Sequence, residues 1–347
     1  MKKNKEKENK KEKDNTKLDN ILTIILSFCD IVAIIVLFLL YGPYPDFRNW
    51  LVTTAMSTMN HQYLATTFYS EERINKVLEQ NTTIEPESNT DTSLIMAEEK
   101  PYVDEYDKEI LDREEGAIYK LIEIDEGSYS GYLAVIYDPS KIKVVTSQYL
   151  GYQGEYLVDM AERENAVVAI NGGGFIDEGG QGNGGTPVGT IIQDGKILNY
   201  SSGSYNRGII GFTNDNKLYL GKISSTEAIN IGIRDAVEFG PFLIVNGESS
   251  FINGNGGYGY HPRSAIAQRQ DGIVLFLVID GRSLKSRGAD MNDLVEILLR
   301  YHAYNAANLD GGNSSVLVIN NEIVNHPYNW DNREETRPIA CGFVVVE

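Results

Sequence analysis

Cysteine is almost absent from this chain of 347 residues: only Cys29, inside an apolar run, and Cys341, near the C-terminus, occur. A membrane would separate the two, so no structural disulfide is available and the folded part must rely on a hydrophobic core. The same shortage argues against a heavily oxidising compartment and fits a Gram-positive-like cell surface. Histidine is also scarce, at four residues, and no His/Cys grouping has zinc-site spacing. There is no Rossmann or P-loop fingerprint and no internal repeat. Positive charge is in short supply, with 31 Lys and Arg against 49 Asp and Glu. Residues 1–20 hold eight Lys against five acidic residues, leaving the rest of the chain at −21 where the whole carries −18. A field of that sign repels nucleic acid, so no such partner is expected, and an anionic substrate would need a local Arg cluster.

Only one apolar run is long. It opens at Ile21, closes at Tyr41, contains a single charge, Asp30, and is long enough to cross a bilayer. The Lys-rich flank places the N-terminus in the cytoplasm and the remainder outside, a single-pass type II arrangement at the cell membrane. The run exceeds an ordinary signal-peptide core and no small-residue cleavage site follows it, which favours an anchor over a cleaved signal. Asp30 is costly in mid-span and is either a helix–helix contact or a protonated carboxyl that a single helix tolerates. The expected division is a cytoplasmic tail over 1–20, a transmembrane helix over 21–41, a stalk and linker over 42–100, and a folded domain over 101–347. Within the stalk, 50–80 mixes apolar and polar residues and suits a helix near the bilayer or against a partner. Residues 81–92, NTTIEPESNTDT, lack apolar periodicity and read as a solvated linker.

Thirty-three Gly and 21 Tyr favour turns and short strands. Apolar, β-branched runs at 117–124, 131–137, 142–146, 166–170, 208–212 and 217–220 predict strands. The run IVLFLVI at 273–279 is apolar throughout, which predicts a strand covered on both faces and ending at Asp280-Gly281-Arg282. Leu294, Ile297, Leu298 and Tyr301 fall on one helical face over 292–302, with Asp290 as N-cap. Strands at 315–319 and 341–346 come next, the first closed by an Asn320-Asn321 turn. The predicted class is α+β: a β-rich mixed-sheet domain with a few packed helices behind a single transmembrane helix.

Four Gly-flanked polar clusters sit at strand ends: NGGGF (171–175), HPRSA (261–265), DGRS (280–283) and NLDGGNSS (308–315). Glycine beside functional side chains lets backbone N–H groups approach a ligand closely. Each cluster alone is also ordinary turn chemistry; four at strand ends, two of them with Arg, are more than turns require.

The order NGGGF, GTIIQDGKI, GPFLIVNGE, HPRSAIA, DGRS, amphipathic helix and NLDGGNSS resembles the phosphodiester glycosidase domain family, typified by an enzyme that removes a covering N-acetylglucosamine from a mannose phosphate. The resemblance runs from about Ala166 to the C-terminus. Its most specific parts are Arg263 within HPRSA and the paired DGR and NLDGG motifs, about 25 residues apart. Ala267-Gln268 departs from the family pattern, where Gly is more frequent.

The resemblance implies an extracytoplasmic hydrolase acting on a sugar-1-phosphodiester in a surface glycopolymer, glycolipid or exopolysaccharide. Oxocarbenium-like charge would be met by a carboxylate, with Asp310 first choice as nucleophile or base and Asp280 second. Asn171 would orient sugar or phosphate. Arg263 and Arg282 would grip the phosphate, assisted by N–H groups of Gly172, Gly173, Gly311 and Gly312 and by Ser314. No cofactor is required, although carboxylates near Asn and Gly are of the kind that holds calcium. Several plainer readings stay open. Asn171 could be a turn residue, His261 a packed loop residue, and the two Arg partners of Asp280 and Asp310 in a buried ion-pair network. The pocket could bind a carbohydrate or phosphodiester without turnover, or the chain could be an envelope assembly protein working through anchor and stalk. Removal of 1–100 is expected to leave an enzyme its turnover.

Overall fold

The computed structural model describes residues 2–58, 61–96, 103–177, 182–201, 207–328 and 336–347, with side chains described from residue 17 onward. Three antiparallel sheets enclose one core. The large sheet has seven strands in the order Glu248–Ser249, Phe242–Val245, Ala303–Asn308, Arg263–Arg269, Val274–Ile279, Ser130–Ile136 and Tyr119–Asp125. A five-stranded C-terminal sheet runs Glu322–Ile323, Leu317–Ile319, Ala166–Asn171, Cys341–Val346 and Ile142–Thr146. A second five-stranded sheet runs Lys196–Asn199, Ile191–Gln193, Ile233–Glu238, Ile209–Thr213 and Leu218–Gly221. The α+β class expected from the sequence holds, with antiparallel sheets and a few packed helices.

Each sheet sends one face to the common core, where Phe276, Phe343 and Phe212 meet. The rings of Phe212 and Phe343 pack edge to face at 6.1 Å. The outer faces are covered by short helices. Met291–Arg300 lays Leu294, Ile297 and Leu298 against Leu133, Leu275 and Leu277 of the large sheet. This is why Val274–Ile279 is apolar at every position: Val274, Phe276 and Val278 enter the central core while Leu275, Leu277 and Ile279 face the helix. Asp290 caps that helix, accepting from the N–H of Asp293, whose carboxylate accepts in return from the Asp290 N–H. Leu157–Arg163 covers the C-terminal sheet through Leu157, Met160 and Ala161.

The N-terminal helix Lys2–Tyr41 contains a stretch, Lys17–Tyr41, that is long and apolar enough to span a membrane. Residues 45–58 and 61–96 are more ordered than a stalk and a solvated linker. Helices Pro45–Met56 and Glu71–Glu79 build a small core of their own around Val52, Ala55, Ile74 and Val77. Residues 81–96 then run along the folded domain, mostly in extended form. Thr83–Ile84 pairs with Phe251–Ile252. The Phe242 N–H donates to Glu85 Oε1 at 2.7 Å, the Thr90 N–H to the Leu220 carbonyl at 2.9 Å and the Met96 N–H to the Gln270 carbonyl at 2.8 Å. The segment is held by polar bonds rather than by an apolar stripe, so it carries no periodicity from which docking could be read.

Candidate active site

The antiparallel register brings the motifs together. Arg263 opens a strand whose two neighbours end beside it: Ile279 pairs with Arg263, and Asn308 pairs with Ala265. HPRS, DGRS and NLDGG therefore meet at one end of the large sheet. Asn171, at the end of a strand in the C-terminal sheet, joins them through its side chain. Its Nδ2 donates to the Asp310 carbonyl at 2.7 Å, while its Oδ1 accepts from Ser264 Oγ at 2.6 Å and the Val316 N–H at 3.2 Å. Asn171 is thus a buried clamp between the two sheets that fixes the Asp310 loop, rather than a side chain turned toward a substrate.

Asp310 is held on both sides. Its N–H donates to the Gly172 carbonyl at 3.0 Å, and its Oδ1 accepts from the Gly311 N–H at 3.0 Å. Burial pushes its pKa up to about 6, against the lowering effects of a Ser314 hydrogen bond, Arg337 and the Gly311 N–H. An acid that titrates there can act as base or nucleophile near neutrality. Asp280 is placed differently. It is buried, and its Oδ1 accepts from Asn325 Nδ2 at 3.1 Å and from the His326 N–H at 2.8 Å, so it ties down the 325–326 loop.

The two arginines also differ. Arg263 is buried and donates from Nε to the Ala289 carbonyl at 3.0 Å and from Nη2 to the carbonyls of Tyr258 and Gly259 at 2.8 and 2.7 Å. It holds two loops in place. Arg282 donates from Nη1 to Asn313 Oδ1 and lies with Nη2 beside Gly312, where an added Cβ would come within 3.0 Å of it. Its backbone is left-handed at φ 60°, a conformation that costs a non-glycine residue about 1 kcal/mol. Gly281 before it permits the fold-back, since a Cβ there would sit 2.8 Å from the Pro262 nitrogen. Burial lowers both guanidinium pKa values to about 10, with repulsion from Arg282 adding to the effect at Arg263 and repulsion from Arg337 at Arg282. Among the described residues neither guanidinium forms an ion pair with a carboxylate, so the buried network with Asp280 and Asp310 is not what the fold builds.

The glycine N–H groups are already engaged. Gly172 donates to the Cys341 carbonyl at 3.0 Å, Gly173 to the Cys341 thiol, Gly311 to Asp310, and Gly312 to the Pro262 carbonyl at 2.9 Å. Through these bonds they close the turns that carry Asp310 and Arg282. The Cys341 thiol is buried and pushed up to about 12, which leaves it an inert core group.

Three contributors were not read from the sequence. Arg337 pairs with Asp177 at 2.8 Å and lies over the Phe175 ring at 4.5 Å, and its charge acts on both Asp310 and Arg282. Its only sequence signal is a Pro-flanked Arg just before an apolar strand, much like HPRS. Burial raises the pKa of Asp177, but its bonds from Arg337 and the Gly182 N–H outweigh this and keep it below its ordinary value. The third contributor is the N-terminal segment. Ser57 Oγ lies 2.9 Å from His261 Nε2, and Asn255 Nδ2 donates to Thr53 Oγ1 at 2.7 Å. Burial, with Arg263 and Arg282 nearby, depresses the His261 pKa well below 6.5, so it is a neutral packed residue. His61 is also lowered, by burial first and by Arg282 second, which places this N-terminal segment within the electrostatic reach of the site.

Among the described residues one group has the arrangement of a metal site, Asp104, Asp107 and His302, and it belongs to a separate region. Asp104 already caps a helix and Asp107 is paired with Arg269 at 2.7 Å, so these carboxylates are committed.

A family model described as phosphodiester glycosidase matches residues 164–346. An uncharacterized SPbeta prophage-derived protein of Bacillus subtilis, YomE, is 30% identical over 202 residues, covering 55% of this chain and 30% of that protein. The N-acetylglucosamine-1-phosphodiester alpha-N-acetylglucosaminidase of Bos taurus is 26% identical over 190 residues, covering 49% of this chain and 34% of the relative. The chain thus spans about a third of the length of these relatives. The fold resembles the catalytic domain of the zebrafish N-acetylglucosamine-1-phosphodiester alpha-N-acetylglucosaminidase auto-inhibited by its pro-peptide. That match has a TM-score of 0.56 at 21% identity and covers 68% of this chain and 85% of that one.

Proposed function

The chain belongs to the phosphodiester glycosidase family, and on that footing we propose that it is a membrane-anchored extracytoplasmic hydrolase cleaving sugar-1-phosphodiester linkages in an envelope glycan or glycolipid. The observation that carries this reading is that one end of the large sheet holds both Arg282, a partly buried cation with no carboxylate partner among the described residues, and Asp310, an enclosed carboxyl pushed up to about 6. A phosphodiester supplies the charge that Arg282 lacks, and the planar guanidinium can donate to two of its oxygens. Ionised Asp310 then meets the anomeric carbon directly or activates the water that does. The bond between C1 and the phosphate oxygen breaks, its electron pair leaves on the phosphomonoester, and water completes the sugar. That leaving group is already acidic, so the site needs charge recognition more than a strong general acid. Arg263, Asn171 and Asp280 act one step removed, by fixing the loops on which Arg282 and Asp310 ride.

The tether supports an envelope substrate. Tyr41 and Ser57 are separated by a short turn and a single 12-residue helix, which at 1.5 Å per residue extends about 18 Å. Ser57 in turn bonds His261, so a membrane-spanning Lys17–Tyr41 would hold the site near the bilayer.

The test is to incubate the full chain in detergent with a panel of sugar-1-phosphodiesters and read the products by mass spectrometry. Free sugar with a phosphomonoester supports the hydrolase; binding without product would make it a phosphodiester-binding surface protein. Protease added to intact cells should digest the C-terminal domain, and protection of that domain would overturn the orientation.

A further inference from the structure

A concave surface adjoins Arg337. Pro338, the next residue along the chain, lines a cleft of about 570 Å³ together with Tyr149, Gln153, Tyr156, Asp159 and Glu162. That volume is ample for a small ligand. Its loop presents three tyrosines to solvent within eight residues: Tyr149 is 52% exposed, Tyr152 86% and Tyr156 42%. Rings left this accessible gain little from the core, and the loop is too firmly tied for their exposure to come from slack chain. Ser147 Oγ donates to the Gln153 carbonyl at 2.7 Å, the Gly151 N–H to the Gly185 carbonyl at 2.7 Å and the Gly154 N–H to the Asn183 carbonyl at 2.8 Å. Glu155 anchors the floor. Its carboxylate accepts from the Gln148 N–H at 3.0 Å and pairs with Arg163 at 3.2 Å, while its backbone bridges Ile339 in both directions at 3.0 Å.

We propose that this cleft is a binding site for neutral oligosaccharide, taking the glycan portion of the substrate whose phosphate lies at Arg282. The apolar C–H face of a sugar ring stacks on an exposed tyrosine, and removing both surfaces from water provides the attraction. Gln153, Asp159 and Glu162 offer a planar amide and two carboxylates to sugar hydroxyls. The charge selects as well: Glu155, Asp159 and Glu162 outnumber Arg163, so a polyanion is repelled here and drawn instead to Arg282 and Arg337. Recognition is thereby divided, with sugar rings in the acidic tyrosine cleft and the phosphate at Arg282. Naming the ligand as the substrate's own glycan rests on the hydrolase reading; the presence of a glycan cleft does not.

The experiment uses the full chain and a Tyr149→Ala/Tyr156→Ala variant. Both are assayed on an array of neutral oligosaccharides of at least four sugars, and on a sugar-1-phosphodiester with a small aglycone. We expect the parent to bind members of the array and the variant to lose about tenfold or more in affinity, a change of about 1.4 kcal/mol, with an unchanged Tm and unchanged turnover of the small phosphodiester. Absence of array binding by the parent, or undiminished binding by the variant, overturns the proposal. If the array is bound through the tyrosines but the small phosphodiester is never cleaved, the cleft stands and the hydrolase reading is what fails. Tyr149→Ala alone, at a half-exposed ring that lines the cleft, supplies a variant whose folding is not in question, and it too should weaken array binding.

Discussion

The two halves of the site use the same residue types to opposite ends. On one side Asn171, Gly172, Arg263 and Asp280 have their polar atoms bound to protein, each spanning two loops or two sheets. On the other, Arg282, Asp310 and Arg337 concentrate charge whose burial is only partly offset. A buried charge is costly unless compensated, and the saturated half supplies the rigidity that keeps the unsaturated half in place. A motif residue can therefore be indispensable without touching substrate, and its bonding saturation separates the two roles.

The largest expected effect tests the unsaturated half. Asp310→Asn keeps an acceptor for the Gly311 N–H and should fold normally, yet it should lower kcat by about 10³-fold or more while substrate still binds. Near-parental turnover would remove Asp310 from the reaction, and Asp280, already saturated, would be a poor heir.

Next in size is the contrast between the arginines. Arg282→Lys should raise KM for a phosphodiester about tenfold or more by losing the planar fork, with little change in Tm. Arg263→Lys cannot reach three carbonyls from one ammonium and should cost about 2 kcal/mol of stability instead. Equal behaviour of the two variants in both KM and Tm would erase the distinction between the halves.

A third contrast concerns the N-terminal region. A fragment of 42–347 should keep turnover, whereas one of 101–347 should lose it at least partly, because it strips Ser57 from His261 and unpairs Phe251–Ile252. This reverses the expectation that 1–100 can be removed without consequence. Equal activity of the two fragments would show the docked segment to be dispensable.

The smallest effect is in pH dependence. If Asp310 must be ionised, kcat/KM should rise with pH through about 6 and then level off. Stability should move the other way. A folded pKa above the unfolded value means that folded protein holds a proton the unfolded chain has released, so stability is greatest below about pH 4 and falls as pH rises to about 6. Asp310→Asn should flatten part of that slope, with the remainder due to Asp293, also pushed up to about 6 by burial. Chemical denaturation of both proteins between about pH 4 and 7 measures the difference.

Much of this was legible beforehand, for identifiable reasons. The all-apolar run at 273–279 had to be a two-faced strand, and Leu294, Ile297 and Leu298 had to face it, because periodicity records burial directly. HPRS, DGRS and NLDGG stood out as polar clusters beside apolar runs, and the antiparallel register, which places the start of one strand beside the ends of two others, brings them together. Arg337 and Asp177 escaped because no local pattern distinguishes them from any surface ion pair. The docking of 81–96 escaped because hydrogen bonds leave no period in a sequence.

By itself, then, the amino-acid sequence determined the apolar anchor run, the α+β class, the strands and the identity of the polar clusters, all of which depend on local spacing and hydrophobic pattern. Tertiary structure alone decided which of those polar groups are spent and which remain charged. The N–H of Gly172 could have met a phosphate or the Cys341 carbonyl, and only the pairing of Ala166–Asn171 with Cys341–Val346, strands far apart along the chain, selects the second. Hydrogen-bond capacity is finite, and where it is used depends on neighbours that lie far apart along the chain.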